Sequence, residues 1–467
     1  MKSLDLRRCL SLIAVPPLVL SGCSQGMPAP AFSGASPSTI QSRLTASPIQ
    51  HVVVMIQENR TFNDFFATYP GADGTTTAKV LKVDKPGCHV FHGVIQLTQS
   101  DLAAPGDLNH DYQAFQVAME GKLQAFDKIN FQGGKPECKT AYQYVNPAQI
   151  KPYWSMAQQY TLAEHMYSTQ GSNSFTAHQD LIRGGTNIDP NYALVNDPTE
   201  YPWGCDAPAG TKTSLVDANG VLYTGKGPFP CTTNFPYYGS YDYKTLRDLL
   251  DAKSVTWKYY VPPSDIVFGK LMSAFDVIAP VRYGSEWQTN VIRPESQIFG
   301  DIRNNSLPNM SWVVPDKMDS DHPGTDPDDG PEWVSSVVNA IGESPYWSST
   351  AIIIVWDDWG GLYDNRVGTQ QYGFGGLGLR VPAIIVSPYA KPGFISKTDY
   401  EFGSILRYVE DNWDLGSLGT SDVRAKSIID CFNYDQAPIN FVPILSSKNK
   451  EYFIHRKPSY LPVDDDM

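Results

Sequence analysis

Beyond its N-terminus this 467-residue chain has no apolar run approaching the roughly 20 residues that a membrane-spanning helix needs. Excess positive charge is missing too: 49 Asp and Glu against 36 Lys and Arg leave a net charge of −13. That balance removes any general attraction for nucleic acid or an anionic bilayer, though a local basic pocket could still hold a phosphate. No C-x-x-C pair occurs among the 7 cysteines, which argues against a thiolate zinc site. Neither an internal repeat nor a heptad pattern is present, so solenoids and coiled coils are excluded. The composition is not that of a disordered chain: 42% of residues are hydrophobic, 18% are charged, and there are 26 Tyr and 10 Trp. The length suits one large domain with insertions.

What is present begins with a separate N-terminal segment. Lys2, Arg7 and Arg8 precede a mostly apolar stretch from Cys9 to Leu20, followed by Ser21-Gly22-Cys23. Residues 1–22 read as an export signal. The small residues before Cys23 resemble a bacterial lipobox, so a lipid anchor at Cys23 and a place in the cell envelope or periplasm are expected, with secretion after ordinary cleavage as the alternative. No other membrane contact is expected. Residues 23–47, rich in Ser, Pro, Ala and Thr, read as a flexible tether, 48–445 as the folded domain and 446–467 as a C-terminal tail. With Cys9 removed and Cys23 acylated, the local disulfide choices are Cys88 with Cys138 and Cys205 with Cys231, leaving Cys431 as a buried thiol.

Short β-branched runs at His51–Ile56, Val255–Val261, Ser311–Pro315, Ala351–Trp356 and Pro382–Ser387 read as strands, with Tyr160–Met166 also strand-like. Strands apolar on both faces belong to sheets covered by helices on each side, and the intervals leave room for crossover helices. Helices are expected at Tyr153–Tyr160, Tyr243–Ala252, Glu332–Ile341 and Phe402–Trp413, where apolar residues recur three and four apart. The fold class is therefore α/β, a three-layer α/β/α sandwich on a mainly parallel sheet. The segment 189–239, crowded with Pro, Gly, Tyr and Trp, reads as an insertion, either a substrate-facing lid or a structural excursion.

Ligands in open α/β sheets bind beyond the carboxyl ends of the strands, so the residues following each apolar run carry the functional signal. Glu58 and Asn59 follow the first run, and Asp357 and Asp358 end the run at Ala351–Trp356. Adjacent carboxylates at the end of an apolar strand repel one another unless a cation compensates them. Glu58, Asn59, Asp357 and Asp358 form an oxygen-rich set suited to magnesium, calcium or manganese, with zinc left open. Gln170-Gly171-Ser172-Asn173-Ser174 is a small-residue loop entering a helix, where free backbone N–H groups suit an anion and a hydroxyl can serve as nucleophile. A plain helix cap is the bland alternative for Ser174. His110 and His322, each in a polar segment, could contact a phosphoryl group or protonate a leaving oxygen. His178, four residues past Ser174, shares its helix face if the helix begins there, and its role is left open. His165, inside an apolar run, reads as structural.

In combination, Glu58-Asn59-Arg60-Thr61-Phe62, Asn109-His110-Asp111, Ser174-Phe175-Thr176-Ala177-His178-Gln179, Asp321-His322-Pro323, Trp356-Asp357-Asp358-Trp359-Gly360-Gly361-Leu362-Tyr363-Asp364 and Gly378-Leu379-Arg380-Val381-Pro382 resemble a known family. It comprises the bacterial and plant phosphoesterases that include non-specific phospholipases C and acid phosphatases, within the alkaline phosphatase superfamily. The likeness runs from His51 to about Asn433. It implies an alkaline-phosphatase-like fold, a divalent metal ion on Glu58, Asn59, Asp357 and Asp358, Ser174 as nucleophile, and His110 and His322 against the phosphate. The implied activity is that of an exported, metal-dependent phosphoric-ester hydrolase acting on a phosphate-ester small molecule or a phospholipid head group. The alternatives are a catalytically inactive surface lipoprotein that binds a ligand or partner, or phosphodiester or phosphonate hydrolysis on the same fold. Three positions depart from the family pattern: Asp358 stands where a Glu is frequent, Asn365 where a His is common, and the nucleophile loop has one extra residue, which makes Ser172 a rival of Ser174.

Overall fold

The strand His51–Gln57 (β1) lies near the middle of an eight-stranded sheet in the computed structural model, which describes residues 47–461 apart from 82–87, 89–90, 105, 132–133, 135–137, 232–242, 327, 369–373 and 375. The segment read as an export signal and almost all of the segment read as a tether lie outside the described residues. The remaining strands are Thr161–Ala163 (β2), Trp257–Tyr260 (β3), Val291–Ile292 (β4), Met310–Val313 (β5), Thr350–Trp356 (β6), Ala383–Val386 (β7) and Phe394–Ser396 (β8). Their spatial order is β4-β3-β5-β1-β6-β7-β2-β8. β1 pairs in parallel with β5 on one side and β6 on the other, and the register with β6 ends at Gln57 opposite Trp356.

One strand departs from the parallel reading: β7 runs antiparallel to both β6 and β2. Its sequence could not disclose this, because a strand inside a sheet covered on both faces is equally apolar in either direction.

All of β6, Thr350 to Trp356, is buried, and successive side chains point to opposite faces, so helices cover both sides of the sheet. One group pairs Lys151–Gln159 (α2, after the short helix Phe62–Phe66, α1) with Gly330–Gly342 (α5). The other packs Ser174–Arg183 (α3) against Leu246–Ala252 (α4) and Phe402–Trp413 (α6). The causes are local. In α5, Pro331 opens the first turn and Trp333, Val334, Val337, Val338 and Ile341 form a buried stripe at helical spacing. α6 starts in a capping box between Glu401 and Ser404. α3 is buried along its whole length and stops at Gly184, whose φ of 77° a side chain would resist. Among the described residues no helix is long and apolar enough to cross a membrane.

The insertion carries a small antiparallel sheet of Tyr192–Val195, Ser214–Asp217 and Leu222–Tyr223, and disulfides join Cys205 to Cys231 and Cys88 to Cys138, while Cys431 is a buried free thiol. Ala193, Val195 and Val216 share a satellite core with Leu108, Tyr112, Phe115, Trp359 and Leu362, which places the insertion beside the strand-end loops. The segment expected to be a C-terminal tail packs onto the domain through Phe453 and Ser459. Its helix Lys450–His455 buries Phe453 against Trp333, with ring centroids 5.3 Å apart. Three adjacent apolar or aromatic residues, Tyr452, Phe453 and Ile454, in a six-residue helix show no repeat that would predict such docking.

Candidate active site

Parallel register builds the centre of the site. Because Gln57 lies opposite Trp356, the next residue of each chain, Glu58 and Asp357, emerges at the same sheet edge, and the Asp357 N–H donates to the Gln57 carbonyl at 2.9 Å. Asn59 follows with a φ of 56°, a left-handed conformation that Asn adopts more readily than most residues. Asp357 Oδ1 accepts from the backbone N–H groups of Asn59 at 3.1 Å and Asp358 at 2.7 Å. Asp358 Oδ1 accepts from the Gly360 N–H at 2.8 Å. The Gly360-Gly361 pair admits the neighbouring loops: a Cβ on Gly360 would sit 2.2 Å from the Asn59 carbonyl, and one on Gly361 would sit 2.5 Å from Leu108 Cβ. Both glycines have positive φ.

Ser174 is the first residue of α3, so its hydroxyl stands at a helix start facing this edge. Its Oγ lies 3.2 Å from Asp358 Oδ2 and 3.4 Å from Asn59 Oδ1. The rival hydroxyl is engaged elsewhere, since Ser172 Oγ accepts from the Asn196 N–H at 2.8 Å and from Thr176 Oγ1 at 2.7 Å. One turn along α3, His178 Nε2 lies 3.2 Å from Glu58 Oε1 and 3.7 Å from Asp357 Oδ2. Ligand-capable atoms of Glu58, His178 and Asp357 fall within 4.8 Å of one another, and all three residues are buried. The sequence left the role of His178 open. The signal was its spacing of four from Ser174, and it becomes readable only when α3 is known to start at Ser174 and face β1.

His110 reaches the same edge through the loop before Tyr112. Its Nδ1 lies 2.7 Å from the Leu108 carbonyl and therefore carries the proton, which leaves Nε2 to accept from Asn59 Nδ2 at 3.1 Å and to lie 3.8 Å from Asp358 Oδ2. His322 lies on the loop after β5, directly after Asp321, which is tied to the ends of β1 and β6. The Asp321 N–H donates to Gln57 Oε1 at 3.0 Å, and Asp321 Oδ2 accepts from Trp356 Nε1 at 2.9 Å and Tyr153 Oη at 2.7 Å. Arg60, fully buried, donates from Nε to the Asp321 carbonyl at 2.6 Å and from Nη1 to Asp64 at 3.1 Å. His322 is thereby carried to the ends of β1 and β6, while its described hydrogen bonds are local ones to Ser320 and Pro323. Asn365 accepts from Arg380 Nη2 at 2.7 Å.

The electrostatics express a shortage of positive charge. Burial, reinforced by the Glu58 charge, pushes Asp357 up to about 7, and burial pulls His178 down to about 4 against the opposing pull of Asp357. Asp357 Oδ2 accepts no hydrogen bond among the described residues. A buried carboxylate oxygen left in this way, beside a second carboxylate and a neutral imidazole, matches the donor set of a divalent cation. Glu58, Asn59, Asp357, Asp358 and His178 are the residues that could hold it.

A second grouping of the same composition lies elsewhere. His165 Nε2 is 3.1 Å from Asp73 Oδ2 and 3.6 Å from Glu164 Oε1. Here Lys397 Nζ lies 3.2 Å from both Asp73 Oδ1 and Glu164 Oε1.

Fold and site together define an α/β protein with an acidic strand-end centre beside a helix-start hydroxyl. The chain belongs to the Phosphoesterase family, whose profile matches residues 49–416. It is 24% identical over 445 residues to the hemolytic phospholipase C of Pseudomonas aeruginosa, covering 81% of this chain and 56% of that protein. To the non-hemolytic phospholipase C of the same organism it is 26% identical over 440 residues, covering 81% and 57%. The chain thus spans little more than half the length of these two relatives. A solved structure of a protein in the alkaline phosphatase superfamily from Vibrio parahaemolyticus aligns with 10% identity and a TM-score of 0.35, covering 86% of this chain and 83% of that one. At that score the likeness carries no weight, and the fold class rests on the strand order and register described above.

Proposed function

We propose that this protein is a metal-dependent phosphoric-ester hydrolase of phospholipase C type, with Ser174 as its nucleophile. The observation that carries the reading is the Ser174 hydroxyl at 3.2 Å from Asp358 Oδ2, on the edge where Glu58, Asn59 and Asp357 also converge. Membership of the Phosphoesterase family and the names of the relatives support the reaction class.

In this reading Asp358 accepts the Ser174 proton as the oxygen attacks phosphorus in line, giving a phosphoserine and releasing the ester oxygen. His110, held by Leu108 with its unprotonated Nε2 3.8 Å from Asp358 Oδ2, takes that proton from Asp358 and passes it to the leaving oxygen, which departs as the alcohol, and His322 contacts the phosphoryl group. Water then adds to the phosphoserine, returning a proton to Ser174 and releasing the phosphorylated head group. When bound, a divalent cation supplies charge stabilisation to the phosphoryl oxygens and the serine alkoxide. Asn59, accepting at Oδ1 and donating at Nδ2, orients Ser174 and His110 together.

Hydrolysis of nitrophenyl phosphorylcholine and phosphatidylcholine, compared with nitrophenyl phosphate, tests the proposal. Faster turnover of the choline diesters supports it. Faster turnover of the monoester makes the protein an acid phosphatase instead, and inertness toward all three defeats the hydrolase reading. We propose further that the protein is exported and anchored through Cys23, a reading supported by the apolar N-terminal segment and by the two disulfides. Mass spectrometry of the mature N-terminus decides it: a chain beginning at an acylated Cys23 is expected.

A further inference from the structure

The geometry points to His178 as a nitrogen ligand of the metal centre, held in place by Tyr259, which makes the site a mixed nitrogen and oxygen one. This inference rests on the metal-dependent reading above. Tyr259 lies in β3, and its hydroxyl donates to the Met272 carbonyl at 2.7 Å. A phenol has one proton, so that donation is its last. The same oxygen receives the Ala274 N–H at 3.4 Å and faces His178 Nδ1 at 3.4 Å. His178 Nδ1 must therefore be the donor in that contact, and it cannot be the metal-binding nitrogen. Nε2 is left as the atom aimed at the carboxylates, 3.2 Å from Glu58 Oε1 and 3.7 Å from Asp357 Oδ2.

Asp357 Oδ1 is already occupied by two backbone N–H groups, which turns Oδ2 toward the same point. Three atoms that donate lone pairs thus face one another from the ends of β1 and β6 and from α3. All three side chains are buried, as is the Tyr259 ring that stands behind the imidazole. An outer partner that fixes the tautomer and ring orientation of a histidine is the usual companion of a histidine ligand. Such a donor set favours zinc or iron over magnesium or calcium, because imidazole suits those ions better than it suits a hard cation. An imidazolium hydrogen-bonded to Glu58 would make the same contacts, so nitrogen must be detected on the ion itself.

Mn²⁺ added to the full chain and followed by pulsed electron paramagnetic resonance makes that detection without any turnover. The expected result is an imidazole-type nitrogen hyperfine coupling in the wild type, which disappears in His178→Gln while Mn²⁺ still binds. Tyr259→Phe keeps the ring and its packing but frees Nδ1. It is expected to weaken Mn²⁺ binding by about 10-fold or more and to alter the coupling, an effect typical of outer-partner changes. Mn²⁺ bound to the wild type with no nitrogen coupling, or a coupling that survives in His178→Gln, overturns the ligand assignment and leaves the hydrolase reading intact. Unchanged binding and coupling in Tyr259→Phe overturns the role of Tyr259. Absence of any Mn²⁺, Zn²⁺ or Ca²⁺ binding to the wild type removes the metal-dependent reading itself.

Discussion

Among the described residues, two clusters bring ligand-capable atoms of a histidine and two carboxylates within 4.8 Å of one another, and they behave oppositely. At Glu58, His178 and Asp357 all three side chains are buried beneath the strand ends. At Asp73, Glu164 and His165 the Asp73 side chain is 40% exposed, and Lys397 and Arg366 reach in from the surface. The same residue type therefore shifts in opposite directions. Burial and the Glu58 charge raise Asp357, whereas for Asp73 the burial effect is outweighed by hydrogen bonds from Lys397 and His165, and its carboxyl is lowered. Spacing alone does not make a metal site. What distinguishes the two is whether the protein's own cations already balance the acids.

The largest effect that could break this contrast is at Ser174. Ser174→Ala is expected to lower phosphoester hydrolysis by about 10³-fold or more, whereas Ser172→Ala should retain activity and lose about 1 kcal/mol of stability from its two accepted hydrogen bonds. A steady-state assay paired with urea unfolding reads both. Next comes Asp357→Asn, expected to weaken metal binding by at least about 100-fold, whereas Glu164→Gln should leave the metal content of the protein unchanged, as equilibrium dialysis would show. Chelation sharpens the contrast at intermediate size. A cation present at about 100 times its Kd stabilises the fold by about 2.7 kcal/mol, so EDTA is expected to lower the melting temperature of the wild type and of Glu164→Gln alike, but not that of Asp357→Asn. The smallest effect is at the surface cluster, where Asp73→Asn should cost less than about 1 kcal/mol and leave hydrolysis untouched. Because folding holds that carboxyl below its ordinary value, its contribution is present above the unfolded pKa of about 3.9 and fades as pH falls through the lower folded one. Urea midpoints of wild type and Asp73→Asn are therefore expected to differ at neutral pH and converge in strong acid.

Much of the architecture was legible in the residues because burial on both faces leaves a clear mark: β1, β6 and the helix Phe402–Trp413 lie where the apolar runs and the helical spacing put them. The direction of β7 was not legible, since the same burial hides it. Glu58 with Asn59 and Asp357 with Asp358 stood out because carboxylates ending apolar strands demand compensation. His178 did not stand out. Its place depends on where α3 begins and on which strand the helix faces, and both are tertiary facts. Tyr259 was read only as part of an apolar run, and nothing in that run says that its hydroxyl meets an imidazole. The helix at Lys450–His455 was missed because only Phe453 of its six residues is buried.

The reversed direction of β7 has a practical corollary. Ala383 pairs with Val355, so the link that leaves β6 through Asp357 and Asp358 returns to the sheet on the edge it departed from. Unlike a crossover, which must be long enough to pass over a face, such a link is free to lengthen, each doubling adding only about 0.6 kcal/mol of closure entropy. Between Asp364 and Leu379, past the residues that build the site and the satellite core, it is a graft point at which segments from kindred enzymes could be exchanged to retune substrate choice.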